Sequence, residues 1–150
     1  MSRRHDEQAA RIVCADVPFE VAMPEVVARH RRRGALPRVQ VTRCMVALLD
    51  GEPVGYAVLG QPCARAYRGR IEVRRVVSWA WGAASALYRA AKAAGAELTY
   101  TDADEPGHSL RAAGWIPEAR LRPARGKGRA TQPGRAAYPP AWRIRWRAPA

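Results

Sequence analysis

The stretch from Arg70 to Trp115 constrains the fold of this chain more than any other. It opens on RIEVRRVVSW, an alternating apolar run from Arg70 to Trp79, and passes through the small-residue turn Ala80-Trp81-Gly82-Ala83-Ala84. A helix-like SALYRAAKAAGA comes next, then a second apolar run, AELTYTD, and a closing EPGHSLRAAGW. Strand, glycine turn, helix, strand is a βαβ unit, and a right-handed crossover makes its strands parallel neighbours. The turn delivers the first strand into a helix N-terminus, where free N–H groups and the dipole favour an anion such as phosphate. Chemistry is expected there.

The remaining elements can be read in chain order. Residues 1–10 are polar and read as a flexible, frayed terminus, and RIVCADV (Arg11 to Val17) reads as a first strand. From Pro18 to Arg33 the pattern is helical, with Phe19, Val21, Ala22, Val26 and Val27 on one face and Pro24 read as a first-turn proline. Gly34 and Pro37 end it after the run Arg29-His30-Arg31-Arg32-Arg33, whose positive charge suits a helix C-terminus. CMVALLD and PVGYAVLG flank Gly51-Glu52, and the Asp50-Gly51 step predicts a hairpin. Helix Gly82 to Ala94 carries Ala86, Leu87, Ala90, Ala91 and Ala94 on its apolar face, and a short helix spans Ser109 to Ala113. IPEARLR and AWRIRWR can each form a strand. The Pro-, Gly- and Arg-rich piece between them predicts a loop over about 120–140.

At 150 residues the chain has room for one domain, here 11–150, with a core that needs no disulfide. Cys14, Cys44 and Cys63 have no CxxC spacing and fit reduced thiols used as small core residues. No apolar run approaches membrane-spanning length and no signal-peptide core is present, which predicts a soluble cytoplasmic protein without membrane contact. The net charge of +13 is compatible with a merely solubilising surface, and also with a polyanionic partner such as DNA.

The order of elements matches the GNAT acyltransferase fold, whose turn into the central helix reads Gln/Arg-x-x-Gly-x-Gly/Ala and cradles the CoA pyrophosphate. The frame here is Trp79-Ala80-Trp81-Gly82-Ala83-Ala84: Gly82 and Ala84 match, and Trp79 replaces the Gln or Arg. IEVRRVV, GAASALYRAAKAAGAELTYT, EPGHSLRAAGW and ARHRRRG together resemble a phage-associated GNAT-like family related to Mom, which modifies adenine bases in DNA. The family's Asn-x-x-Ser is here Gly82-Ala83-Ala84-Ser85, and its His-Tyr is here His30-Arg31. The resemblance implies an α/β (α+β) fold with a mixed, mostly antiparallel sheet, a central parallel βαβ unit and flanking helices. It also implies an acyl-CoA or related donor held by Val76, Val77, Trp81, Gly82, Ala83, Ala84 and Ser85. In Mom the positions matching His30 and Asp102 are implicated in iron binding, which extends that expectation to iron or another divalent metal here.

Each candidate residue has a functional and a structural alternative. Glu72 lies within an apolar strand; on the solvated face it is inert, and in a cleft its pKa rises and it can act as general base toward an amine. His30, with an ordinary pKa near 6.5, suits proton transfer or ligation, or is simply solvated. Asp102 sits at the C-terminal end of a parallel strand, where open sheets place ligands, or caps a turn. Ser85 orients a substrate oxygen or caps its helix, and Tyr100 and Tyr88 are general acids or core residues. Trp79 and Trp81 stack on a planar ligand or cover the sheet edge. The basic strip from Arg120 to Arg147, with Arg122, Arg125, Lys127, Arg129, Arg143 and Arg145 interleaved with Tyr138, Trp142 and Trp146, tracks phosphates and stacks bases or is in part a solvated loop, and Arg31, Arg32 and Arg33 are further nucleic-acid candidates. Three functions are therefore expected. The first is transfer of an acyl-type group to an amine, above all the exocyclic amine of a flipped DNA base. The others are CoA-dependent N-acetylation of a small-molecule or protein amine, and DNA binding without catalysis.

Overall fold

The computed structural model describes residues 2–30, 33–123 and 141–150. Arg31, Arg32, Arg125, Lys127, Arg129 and Tyr138 lie outside the described residues, as does most of the loop expected at about 120–140. The elements are α1 (Arg3–Ala10), β1 (Ile12–Asp16), α2 (Phe19–Arg29), β2 (Val41–Leu49), β3 (Glu52–Gly60), β4 (Glu72–Ser78), α3 (Ala83–Ala93), β5 (Leu98–Asp102), α4 (His108–Ala112), β6 (Ile116–Leu121) and β7 (Arg143–Arg147). One seven-stranded sheet runs β1-β2-β3-β4-β5-β7-β6, and β4 with β5 is its parallel pair. This is the mixed, mostly antiparallel architecture anticipated from the order of elements.

The local chemistry explains the frame. Asp50 and Gly51 both take left-handed φ values, 51° and 82°, which turns β2 into β3 and pairs Leu49 with Glu52. Period-two alternation then sorts the side chains. Met45, Ala47, Ala57, Leu59, Val73 and Trp146 pack on one face with Leu87 and Ala91 of α3, Leu110 of α4 and Trp115. Cys44, Val46, Tyr56, Val58 and Val77 pack on the other, under Ala22, Met23 and Val26 of α2. The alanines of α3 let it lie close on the sheet.

Four expectations are corrected. Residues 1–10 are not frayed throughout: α1 forms and docks on the turn before α3. The His5 ring stacks on Trp81 with centroids 4.6 Å apart, Gln8 Nε2 donates to the Trp81 carbonyl at 3.2 Å, and Ala9 lies against Gly82. Helix α2 starts at Phe19, so Pro24 falls inside it and withholds an N–H from the Glu20 carbonyl. The same helix stops at Arg29, because His30 is extended (φ −74°, ψ 125°) and leads the chain away. Finally, Trp146 is no stacking surface. It is 1 % exposed, and its indole N–H donates to Thr101 Oγ1 at 2.9 Å. Trp142, 40 % exposed beneath Arg120, is the aromatic at this edge that meets solvent.

The two tryptophans should therefore separate in denaturation. Trp146→Ala should lower unfolding free energy by about 3–5 kcal/mol, as for a large core aromatic. Trp142→Ala should lower it by about 1 kcal/mol or less, the worth of an exposed cation–π contact. Urea titrations of both variants check this.

Candidate active site

Strands β4 and β5 pair only through Glu72↔Leu98 and Val73↔Thr99. A bulge in the β3–β4 register accompanies the parting: Val58 opposes Arg75 and Leu59 opposes Val73, with Arg74 as the extra residue. Thr99 Oγ1 donates to the Val73 carbonyl at 2.8 Å and pins the vertex. Beyond it the strands separate, and a cleft of about 670 Å³ lies between them, lined by Val76, Val77 and Ser78 of β4 and by Tyr100, Thr101 and Asp102 of β5. Its volume is that of a small-molecule site.

The cleft reaches both faces of the sheet. On the α3 side it is lined by Ala84, Tyr88, Glu105, His108 and Ser109. On the α2 side it is lined by Arg29, His30, Arg33, Cys63, Glu72, Arg74, Arg75 and Arg143. His30, Glu72, Tyr100 and Asp102 thus share one cavity although they lie far apart in the chain or on different strands.

Glu72 is 6 % exposed. One carboxylate oxygen, Oε2, lies 3.2 Å from Arg74 Nε, and both side chains of this pair are buried. Oε1 is buried without a hydrogen-bond partner. Burial raises the Glu72 pKa above its ordinary value, against the opposing pull of Arg74, the Cys63 N–H, Arg33 and Arg143. Arg74 is held in turn by the Gln61 carbonyl at 2.7 Å and by Gln40 Oε1 at 3.3 Å. One oxygen of this buried carboxylate is thus paired and the other is not, at the edge of the cleft.

His30 is differently placed. Its Nδ1 accepts the Arg33 N–H at 3.1 Å, so the neutral ring carries its proton on Nε2 and has no lone pair left for a base. Burial, with Arg75 and Arg33 nearby, lowers its pKa from 6.5 to about 4, Asp102 opposing. The pair does not fit a divalent metal. Among the described residues no three His, Cys, Asp or Glu side chains converge. His30 and Asp102 also sit among the guanidiniums of Arg33, Arg75 and Arg143, a field that repels cations.

The anion turn is only partly at the cleft. Of its expected residues, Val76, Val77 and Ala84 line the cavity. Gly82, at φ 86°, is the N-cap of α3, and its Cα faces Ala9. Ala83 is buried in the core with its N–H on the Ala80 carbonyl. Ser85 Oγ donates to the Gly82 carbonyl at 3.1 Å, so its hydroxyl is spent on the helix. Trp81 lies under His5, and the Arg29 guanidinium sits 3.7 Å from the Trp79 ring centroid; the protein's own side chains occupy both stacking faces. The open edge of β4, the Ala84 rim and the first-turn N–H groups of α3 are the features that fit a CoA-type ligand.

Of the basic residues expected on nucleic acid, Arg33 and Arg143 line the cleft, Arg122 is exposed, and Arg145 is paired to Glu118 at 2.8 Å. Sequence reasoning missed Cys63, Arg74 and Arg75 as cleft residues. Cys63 is exposed rather than a core thiol. For the arginines a signal existed: two adjacent arginines inside an apolar strand cannot both reach solvent on one face. No helix among the described residues is long and apolar enough to cross a membrane.

Known proteins place this geometry. No protein-family model matches the chain. No curated protein sequence matches it either. Solved structures do. An IAA acetyltransferase from Bacillus cereus superposes with a TM-score of 0.60 at 15 % identity, covering 91 % of this chain and 98 % of its own. A GNAT family acetyltransferase from Elizabethkingia anophelis with acetyl-CoA bound gives 0.60 at 11 % identity, covering 92 % and 97 %. A polyamine N-acetyltransferase from Drosophila melanogaster gives 0.52 at 14 % identity, covering 91 % and 98 %. The chain therefore has the GNAT acetyltransferase fold. These likenesses extend over nearly the whole chain, and none of them bears on the finer resemblance to Mom.

The depressed His30 pKa has a consequence for folding. A His that binds protons less well folded than unfolded contributes stability above pH 6.5 that is lost as pH falls through about 4. His30→Asn should flatten that part of the stability-against-pH curve relative to the parent, as read from urea midpoints between pH 7 and pH 4. Identical curves would refute the buried neutral imidazole.

Proposed function

We propose that this protein is a CoA-dependent N-acyltransferase acting on the amine of a small molecule. The observation that carries this reading is the buried Glu72 carboxylate, with Oε1 lacking a partner, at the point where β4 and β5 separate. In this reading an acyl-CoA supplies an activated thioester, lying along the open edge of β4 by Val76 and Val77 with its phosphates toward Ala84 and the first turn of α3. Glu72 takes the proton of the incoming amine on Oε1, so the nitrogen lone pair is free to attack. Arg74 pairs with the other oxygen and fixes the carboxylate. Tyr88, whose pKa burial raises, keeps its proton at neutral pH and is the acid for the departing thiolate on the α3 side. Tyr100, also raised by burial and then by Glu72, stands beside the base as a neutral donor. His30 and Asp102 shape and polarise the α2 side without taking the proton.

Acylation of a DNA base amine, expected from the sequence, retains one support, the convergence of Arg33 and Arg143 on the Glu72 cleft. Burial of Trp146 and pairing of Arg145 remove two of the contacts it invoked. Nucleoside mass spectrometry on DNA from cells expressing the protein decides it, because a modified base absent from Glu72→Gln cells would displace the small-molecule reading.

Two assays test the main proposal. Calorimetry should show acetyl-CoA binding, and CoA release should depend on an added amine. Glu72→Gln should lower kcat by about 10²–10⁴, the usual share of a general base, while KM for acetyl-CoA stays within about threefold. A Glu72→Gln enzyme with undiminished kcat would end the assignment of the base.

A further inference from the structure

The charge on the α2 half of the cleft narrows the acceptor, granted the N-acyltransferase reading above. Arg74 neutralises Glu72 within their buried pair. His30, with its pKa near 4, is uncharged at neutral pH. The other charges of this half nearest the base are Arg33, Arg75 and Arg143, with Asp102 opposite in sign. Arg143 is the most telling. It is half-buried, and it stands on β7 directly across from Asp102 of β5. Its guanidinium carbon lies 5.1 Å from the Tyr100 ring centroid. Among the described residues Arg143 makes no ion pair and no side-chain hydrogen bond. Its β7 neighbour Arg145, two residues on, is by contrast locked to Glu118 at 2.8 Å.

A guanidinium beside a ring, lining a cleft with its donors unspent, suits a carboxylate or phosphate, which it can hold with two parallel N–H bonds. A purely cationic amine would bring its charge beside the Arg143 guanidinium, with Asp102 as the opposing carboxylate of this half. We infer that the acceptor is a small amine that also carries an oxyanion, a carboxylate or a phosphate, bound by Arg143 while Glu72 receives the amine proton. Only the position of the anion is added to the reaction: the N–H proton goes to Glu72, the new bond is nitrogen to acyl carbon, and CoA leaves with its sulfur.

The test is a panel of amines assayed for CoA release with acetyl-CoA. Each amino acid is set beside its amide, 2-aminoethyl phosphate beside ethanolamine, and agmatine serves as the cation. Anionic members should exceed their uncharged partners in kcat/KM by about 10- to 100-fold, the worth of a charged hydrogen-bonded pair. Whether carboxylates or the phosphate lead distinguishes the two sources of the oxyanion. Arg143→Ala should erase the preference, and Arg143→Glu should shift it toward agmatine, with KM for acetyl-CoA little changed. A purely structural role for Arg143 would move all acceptors together and would overturn the inference. Turnover of neutral or cationic amines alone also overturns it while leaving the acyltransferase standing. Release of CoA with none of them, or modification of DNA only, removes both together.

Discussion

Two parallel strands that hold together for two residue pairs and then part are the constraint on which the site depends. Glu72↔Leu98 and Val73↔Thr99 close the vertex, the Thr99 hydroxyl on the Val73 carbonyl fastens it, and the bulge at Arg74 re-aims the rest of β4. Backbone groups along the open edges of β4 and β5 would be costly to bury without partners, so the gap is stable only where water or a ligand's polar chain can reach them. The same parting connects the two faces of the sheet. In the proposed reaction the donor would enter this cavity from the α3 side and the acceptor from the α2 side.

Placing Glu72 and Arg74 at that vertex is not explained by stability. Desolvating two charges offsets most or all of their attraction, and apolar residues of the same volume are often as good or better. What the pair supplies is orientation. Arg74, held by the Gln61 carbonyl and by Gln40, engages one oxygen of Glu72 and leaves the other buried without a hydrogen-bond partner. Charge elsewhere on the cleft is arranged by the same alternation that builds the sheet: with Ile144 and Trp146 turned toward the core, Arg143, Arg145 and Arg147 fall on the opposite side.

Much of this was legible in the chain. The Asp50-Gly51 hairpin, the βαβ order and the anomaly of an acidic residue inside IEVRRVV all follow from local patterns, and local patterns are what a sequence displays. The strand AWRIRWR shows the cost of setting periodicity aside: its tryptophans alternate with its arginines, so they could not share one binding strip. Other features have no local signature. Nothing in polar α1 announces that His5, Gln8 and Ala9 will dock on Trp81 and Gly82, because the partner surface is made more than seventy positions away. His30 stands out in the sequence by its chemistry alone. Its loss of basicity comes from burial and then from Arg75, which no periodicity relates to it.

The contact between α1 and the turn before α3 also governs how this sequence can vary. A Cβ at Gly82 would lie 2.8 Å from the Ala9 Cβ and 3.1 Å from its Cα, and the φ of 86° strains any other residue there. The two positions are thus small for a common reason, one on each side of a single point of closest approach. Enlargement at Ala9 would lift α1 from the sheet edge, and enlargement at Gly82 would do so while also bending the entry to α3. Among relatives that keep this first helix, residues 9 and 82 should change together or not at all. Relatives that lack the helix should be free at 9 and still held to glycine at 82 by its backbone angle.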